Sequence, residues 1–438
     1  IIQALVNIRS LPRRLCMLIL LLLFAVPAMP VLATEEIEIP LSDGSDAFIT
    51  AYPADGDALI VWFPSEFGPS PRQAAVAKEL SSLGLAVWMP DLHATWFLPV
   101  GRYSLGDLDP GYLMEILQAA HEQSGKRVFF MAPGRTAALG LEAIRRWQVE
   151  GMPQDAFGGA ILLHPKLYAR TPQGGEAAEF IEVASATNVP LYLLQPQQSA
   201  YYWRSKQVRS KLEEGGAQVY LHILKDVGDG FYARPDYSQE EERATRRLPA
   251  LLQRAVTLLA QITEMPLSAA PMPTERHAAD AGEDAASAAL LKPYRGDRAT
   301  PPLSLKTLDG ETIDLANYSG KVVVLNFWAT WCPPCVEEIP SLERLRKLRH
   351  AQGLEVLSVD VGEEPEQVRR FLADKPVGYP VALDPDAEAF VAWNTYAFPT
   401  TFVLDRDHRI RYAVFGAFAW DSQEVLDAVD TLLGTEND

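Results

Sequence analysis

The feature that most constrains this chain is a junction. An apolar run, Val322–Phe327, leads into Trp331-Cys332-Pro333-Pro334-Cys335 and on into a helical pattern with Val336, Ile339, Leu342, Leu345 and Leu348 at steps of three. A strand that ends on a CxxC and turns into a helix puts the first cysteine at a helix N-terminus. Unpaired backbone N–H groups and the helix dipole there stabilise a negative sulfur. Cys332 is therefore expected to have a lowered thiol pKa and to be the exposed nucleophile. Cys335, one turn later and facing inward, can reach Cys332 and resolve a mixed disulfide. Pro333 and Pro334 remove backbone donors and stiffen the loop. A structural disulfide is a competing reading, but bridging so short a loop restrains little chain entropy. A zinc half-site is another, but no second CxxC or His pair completes the ligands, and the seven histidines are scattered. Redox chemistry is the reading the junction favours.

The residues around the junction, Val323-Val324-Leu325-Asn326-Phe327-Trp328-Ala329-Thr330-Trp331-Cys332-Pro333-Pro334-Cys335 followed by Glu337-Glu338-Ile339-Pro340, resemble the TlpA/ResA-like branch of the thioredoxin superfamily. Tyr396-Ala397-Phe398-Pro399-Thr400-Thr401-Phe402 resembles that family's cis-proline loop. The likeness covers residues 300–438 and implies a thioredoxin fold there, with an extra βα segment at Gly353–Asp374. It implies a cis Pro399 lying against the cysteines, where the missing N–H and the fixed backbone let the preceding residue pair with a substrate. Trp331, Pro333, Pro334 and Phe398 would then border the substrate. It also implies that Glu338 assists proton transfer at the buried cysteine; read from the pattern alone, Glu338 is equally an exposed helix residue. Asn326 stands where ordinary thioredoxins carry a buried aspartate, which leaves Glu338 as the nearer acid. Trp328 and Trp331 either shield the pair from water or are core aromatics. A peroxiredoxin would need Pro and Thr/Ser ahead of its cysteine, where this chain has Leu325 and Ala329.

Residues 34–265 alternate between short apolar runs and helix-length amphipathic segments. Strands are expected at Ala58–Phe63, Leu85–Met89, Val128–Met131, Ala160–Leu163, Pro190–Leu194 and Val219–Ile223, with helices such as Arg72–Leu83, Tyr112–Glu122, Thr136–Val149 and Ser205–Glu214. Such alternation implies a parallel sheet covered on both faces. Ile37–Tyr52, turning at Asp43-Gly44, reads as an edge hairpin. The order of elements resembles an α/β-hydrolase, but its catalytic positions are eroded. Gly134 occupies the nucleophile's place in Pro133-Gly134-Arg135-Thr136, Gln195-Pro196-Gln197 that of the acid, and Asp229 that of the histidine. A triad acts as a unit, so this site is expected to be close to inert. Ser65 and His164 follow strands, yet both can be satisfied by local backbone bonds. A binding or docking role fits this unit better than catalysis.

Residues 1–33 read as an export signal. Arg13-Arg14 precede the apolar Leu15–Val26, Pro27 and Pro30 break the run, and Val31-Leu32-Ala33 offers a cleavage pattern. An uncleaved anchor is the alternative. Cys16, the third of three cysteines, lies in this segment. Export points to a periplasmic, oxidising compartment. The net charge of −18 disfavours nucleic acid as a partner. Residues 266–299, with nine alanines between Ala269 and Ala289, read as a linker.

The whole is thus an α/β protein: an α/β-hydrolase-like sheet domain at 34–265 and a thioredoxin fold at 300–438. The expected function is an exported thiol-disulfide oxidoreductase acting on protein disulfides through Cys332 and Cys335. No cofactor beyond that pair is called for. The family likeness suggests a periplasmic reductant, as in cytochrome c maturation, fed by a membrane thiol-electron donor. The alternative makes the N-terminal domain the main unit, as a ligand- or partner-binding module or an atypical hydrolase, with the redox domain as accessory or switch.

Overall fold

The computed structural model describes residues 34–101, 104–153, 155–170, 172, 174–262, 265–272, 291 and 293–434. The expected signal at 1–33, Cys16 and most of the expected linker lie outside the described residues.

Strands β1 (Glu35–Pro40) and β2 (Asp46–Tyr52) form the hairpin, turning through Gly44 at φ 85°. They are followed by β3 (Ala58–Trp62), α1 (Pro71–Ser82), β4 (Ala86–Pro90), α2 (Leu92–Trp96), α3 (Pro110–Ser124), β5 (Arg127–Pro133), α4 (Thr136–Glu150), β6 (Phe157–Leu163), β7 (Leu191–Gln198), α5 (Ser205–Glu214), β8 (Val219–Gly228) and α6 (Gln239–Ala260). The sheet order is β1-β2-β4-β3-β5-β6-β7-β8. Strands β3 to β8 run parallel, and β2 pairs antiparallel with both β1 and β4. The central strands are buried on both faces, so they appear in sequence as unbroken apolar runs rather than alternations. Leu59, Val61, Val128 and Phe130 face a core closed by α3, α4 and α5. Their neighbours Ile60, Trp62, Phe129 and Met131 face the opposite core under α1 and α6. Helices α1 and α6 each begin with a reciprocal capping box, Ser70 with Gln73 and Ser238 with Glu241.

The C-terminal domain runs β9 (Ser304–Thr307), β10 (Thr312–Asp314), β11 (Val322–Trp328), α7 (Pro333–Arg349), β12 (Leu354–Val361), α8 (Pro365–Asp374), β13 (Val381–Asp384), α9 (Glu388–Ala392), β14 (Thr400–Leu404), β15 (Ile410–Phe415) and α10 (Gln423–Gly434). Its sheet order is β10-β9-β13-β12-β11-β14-β15. Strand β11 is central, parallel to β12 and antiparallel to β14, with Asn326 opposite both Ser358 and Thr401. Ile339, Leu342 and Leu345 of α7 join Val425 and Val429 of α10 over one face of the sheet.

Two expectations change. Leu348 is 50% exposed, because steps of three fall behind a 3.6-residue turn and rotate off the buried face. The linker tightens from both ends. Carbonyls of Pro266, Ser268 and Ala270 accept from Gln148, Asn188 and Arg145, tying 265–270 to the N-terminal domain. Leu291 and Tyr294 are buried, with Tyr294 N–H donating to Arg411 O (2.7 Å) on the C-terminal domain. Among the described residues no helix is long and apolar enough to cross a membrane.

Candidate functional site

Cys332 is the N-cap of α7 and is disulfide-bonded to Cys335. Pro333 and Pro334 have no N–H, so the first backbone donor of the helix belongs to Cys335. That N–H donates to Cys332 Sγ (3.3 Å). The prolines thus leave one amide to serve the first sulfur, which is the charge-stabilising placement expected of a nucleophile. The expected exposure is not found. Cys332 is 4% exposed and Cys335 1% in the bonded form. Both sulfurs belong to the apolar core beneath β11 and α7, against which Trp331 and Phe398 pack.

The Phe398–Pro399 peptide is cis. Phe398 links the two loops. Its ring stacks on Phe390 (4.8 Å) and meets Trp331 edge-on (5.5 Å). Pro399 precedes β14 directly, and its carbonyl accepts from Gly416 N–H (2.9 Å). Trp328 is buried and packs on Phe371 (5.3 Å), so it serves the core, whereas Trp331 borders the cis-proline loop.

Glu338 is not an exposed helix residue; it is 2% exposed. Its Oε1 accepts from Asn326 Nδ2 (2.7 Å), and its Oε2 from Trp420 Nε1 (3.0 Å) and Phe418 N–H (3.3 Å). Burial pushes its carboxyl up to about 7, against the pull of those three donors. Asn326 is fixed in turn, donating to Thr401 Oγ1 (2.9 Å) and accepting from Ser358 Oγ (3.4 Å). Glu338 lies one turn after Cys335, and i,i+3 residues share a helix face.

A second acidic feature was missed from sequence. Thr330, two residues before Cys332, donates through both N–H and Oγ1 to the buried Glu363. Asp360, at the buried end of β12, faces Glu363, and its carboxylate oxygens have no other hydrogen-bond partner among the described residues. Burial first, and then the Glu363 charge, push the Asp360 carboxyl well above the carboxylate range. The available signal was a second acid, after Glu355, inside a strand otherwise rich in Leu and Val. A carboxyl raised in the folded state contributes stability that is present below its unfolded pKa and lost as pH rises toward its folded value. Asp360→Asn removes that loss. It is expected to raise the melting temperature over wild type by an amount that grows as pH rises above the ordinary aspartate range, as differential scanning calorimetry would record.

In the N-terminal domain, Gly134 sits at the β5–α4 turn with φ 52° and carries no nucleophile. Gln195 Nε2 donates to Pro196 O, and Asp229 Oδ2 accepts from Ser199 Oγ (3.1 Å). Ser65 Oγ accepts from Phe67 N–H (3.2 Å), a local turn bond. His164 departs from expectation: its Nε2 lies 3.4 Å from Tyr232 Oη, and its buried Nδ1 has no hydrogen-bond partner among the described residues. Burial lowers its pKa. These residues do not form a nucleophile–base–acid relay. Among the described residues no three His, Cys, Asp or Glu side chains converge as a metal site.

Comparison with known proteins adds the following. The Redoxin family model matches residues 295–432. The chain is 34% identical over 124 residues to the thiol-disulfide oxidoreductase ResA of Geobacillus kaustophilus, spanning 28% of this chain and 71% of that one. It is 36% identical over 116 residues to ResA of Bacillus subtilis, spanning 26% and 65% respectively. A solved thiol:disulfide interchange protein of the thioredoxin family from Chlorobium tepidum is 27% identical, with a TM-score of 0.29, covering 32% of this chain and 99% of that one.

Proposed function

This chain belongs to the redoxin family and is, through residues 295–432, a thioredoxin-like oxidoreductase; from that premise we propose that it is an exported reductant of protein disulfides. The observation that carries the proposal is the Cys332–Cys335 pair at the N-terminus of α7, with Trp331 in contact with the residue of the cis Phe398–Pro399 bond. In the reduced protein, Cys332 thiolate attacks a substrate disulfide. One substrate sulfur leaves as a thiol and the other stays bonded to Cys332. Cys335 gives up its proton to Glu338 and attacks Cys332 Sγ, releasing the second substrate thiol. Two electrons leave with the substrate, and the pair ends as the disulfide seen here. Trp331, Pro333, Pro334 and Phe398 border the substrate, and Pro399 fixes the backbone it pairs with.

The signal pattern at 1–33 and the likeness to ResA support a periplasmic location. They also support a substrate such as a disulfide between the cysteines of apocytochrome c, which the protein would return to thiols, and a membrane thiol donor that re-reduces the pair. The N-terminal domain we read as α/β-hydrolase-like and non-catalytic. Its strand order, the reversal of β2 alone, and the left-handed Gly134 at the β5–α4 turn support that reading. The reduction potential tests the direction of electron flow. A value near thioredoxin's, about −270 mV or lower, is expected from equilibration with dithiothreitol or glutathione buffers. A value near about −120 mV would make the protein an oxidant and overturn the reading.

A further inference from the structure

The N-terminal domain packs on the segment of the redox domain that leads into the cis-proline loop. Two segments do this, one after β6 and one after β7. From the first, Tyr168 meets Tyr396 edge-on (5.5 Å), and Ala178 N–H donates to the Tyr396 hydroxyl (3.0 Å). Gly175 and Asn394 exchange bonds, Gly175 N–H to Asn394 O and Asn394 Nδ2 to Gly175 O, both 3.3 Å. From the second, the turn Ala200–Arg204, Ala200 and Trp203 pack on the cluster of Phe327, Phe390, Trp393 and Phe402. Trp203 lies so close over Gly362 that a Cβ there would come within 2.1 Å of its ring.

Arg204 is the polar centre of this contact. It is 7% exposed and has no acidic partner among the described residues. Its Nη2 donates to Val391 O (3.0 Å), and its guanidinium lies 4.5 Å from the Tyr396 ring centroid. Val391 belongs to α9, a helix of five residues, too short to hold itself together. The start of α9 is fixed by Asp384, whose carboxylate accepts from Ala389 N–H (3.2 Å) and Phe390 N–H (2.8 Å). Its end is met by Arg204, a cation at a helix C-terminus. Tyr396 lies two residues before Phe398. The turn that presents Arg204 is itself anchored: Ser199 Oγ accepts from Tyr201 N–H (3.2 Å) and donates to Asp229 Oδ2 (3.1 Å). Asp229, in the place where a hydrolase keeps its histidine, holds this turn.

Burying a guanidinium without a counter-charge is costly, and an apolar side chain of similar length would fill the same space at less cost. What the guanidinium adds is a directed bond and a flat stacking surface. We propose that Arg204 is a positioning residue of the redox site, through which the N-terminal domain holds α9 and the cis-proline segment in the geometry that receives a polypeptide substrate. The proposal rests on the redox reading of Cys332 and Cys335. The cis-proline segment would pair with a substrate backbone, so its displacement weakens peptide substrates and leaves the sulfur chemistry alone.

The test compares full-chain wild type with Arg204→Ala, Arg204→Met and Arg204→Lys, using insulin and the small aromatic disulfide dithionitrobenzoate as substrates. Loss of one charge-assisted hydrogen bond sets the expected scale, a rise of about tenfold in KM for insulin for Ala and Met. Lys keeps one donor but not the stack, and is expected to rise about threefold. The small disulfide, with no peptide backbone, should keep its rate. The pH profile of Cys332 alkylation should not move, because the Cys335 amide is untouched. Met is expected to melt no lower than wild type while showing the full KM rise, which separates positioning from folding. Should Ala fail to fold, Met decides in its place. Wild-type KM for insulin in a folded Met variant would overturn the proposal, as would equal losses on both substrates with a shifted alkylation profile. Wild type that reduces neither substrate would defeat the redox reading instead.

Discussion

Cys332→Ser is expected to abolish reduction of insulin disulfides by the full chain, whereas Cys335→Ser should leave a protein that its substrate captures. The two cysteines are unequal because of where α7 begins. Cys332 is the N-cap, and its sulfur accepts the first N–H the helix can offer after two prolines. The thiolate is the attacking species, so the sulfur held by that amide makes the first bond. Cys335, inside the first turn of α7, then acts on the sulfur already bonded to its neighbour. With Cys332 replaced, no attack on substrate starts, and turnover falls to the uncatalysed background. With Cys335 replaced, Cys332 still attacks but nothing releases it, and one equivalent of mixed disulfide accumulates. Non-reducing electrophoresis and intact mass measurement separate these outcomes. Insulin reduction retained by Cys332→Ser, or equal trapping by the two variants, would sink the assignment. Neither substitution should unfold the protein, since the bond closes a loop too short to restrain much of the unfolded chain.

The parts legible in sequence were those set by local pattern. The buried parallel strands showed as apolar runs, so β11 was expected at Val322–Phe327 and spans Val322–Trp328. The strand-to-helix junction placed Cys332 at the N-cap without knowledge of the rest of the chain. Other features depend on residues far apart in sequence. Glu338 looks the same on a helix whether solvent or core lies beside it. Phe418 and Trp420, some eighty positions on, close over it and decide. Glu363 reads as one acid in an acidic stretch until β12 brings it under Thr330. Arg204 gave no signal, because a lone arginine after three aromatics carries meaning only once a second domain is docked on it. The burial of Cys332 is of the same kind, since it depends on Trp331 and Phe398 meeting across the cis-proline loop.

Glu338→Gln is expected to slow resolution of the mixed disulfide by on the order of 10²-fold near neutral pH, the scale of a lost general base. It should also remove an inflection from the pH profile. Burial raises the Glu338 carboxyl to about 7, while Trp420, Phe418 and Asn326 all donate to it and restrain the rise. A base at that value takes up a thiol proton readily and gives it back. In wild type the resolving rate should therefore rise with pH through about 7 and then level off. In Glu338→Gln it should follow the ionisation of Cys335 itself and keep climbing to higher pH. Release of thionitrobenzoate from its mixed disulfide with Cys332, followed by stopped flow from pH 5.5 to 9, reads this directly. Stability supplies an independent check. The folded pKa lies above the usual carboxylate value of 4.5, so the stability this group contributes is complete below that value and lost as pH rises through about 7. The loss is about 3 kcal/mol for a shift of this size. Gln cannot titrate, so denaturant unfolding of the variant should be flatter than wild type between pH 5 and pH 8. A flattened stability profile with an unchanged resolving rate would make Glu338 a buried structural acid. Loss of both pH dependences together would identify the buried carboxyl as the proton acceptor for Cys335.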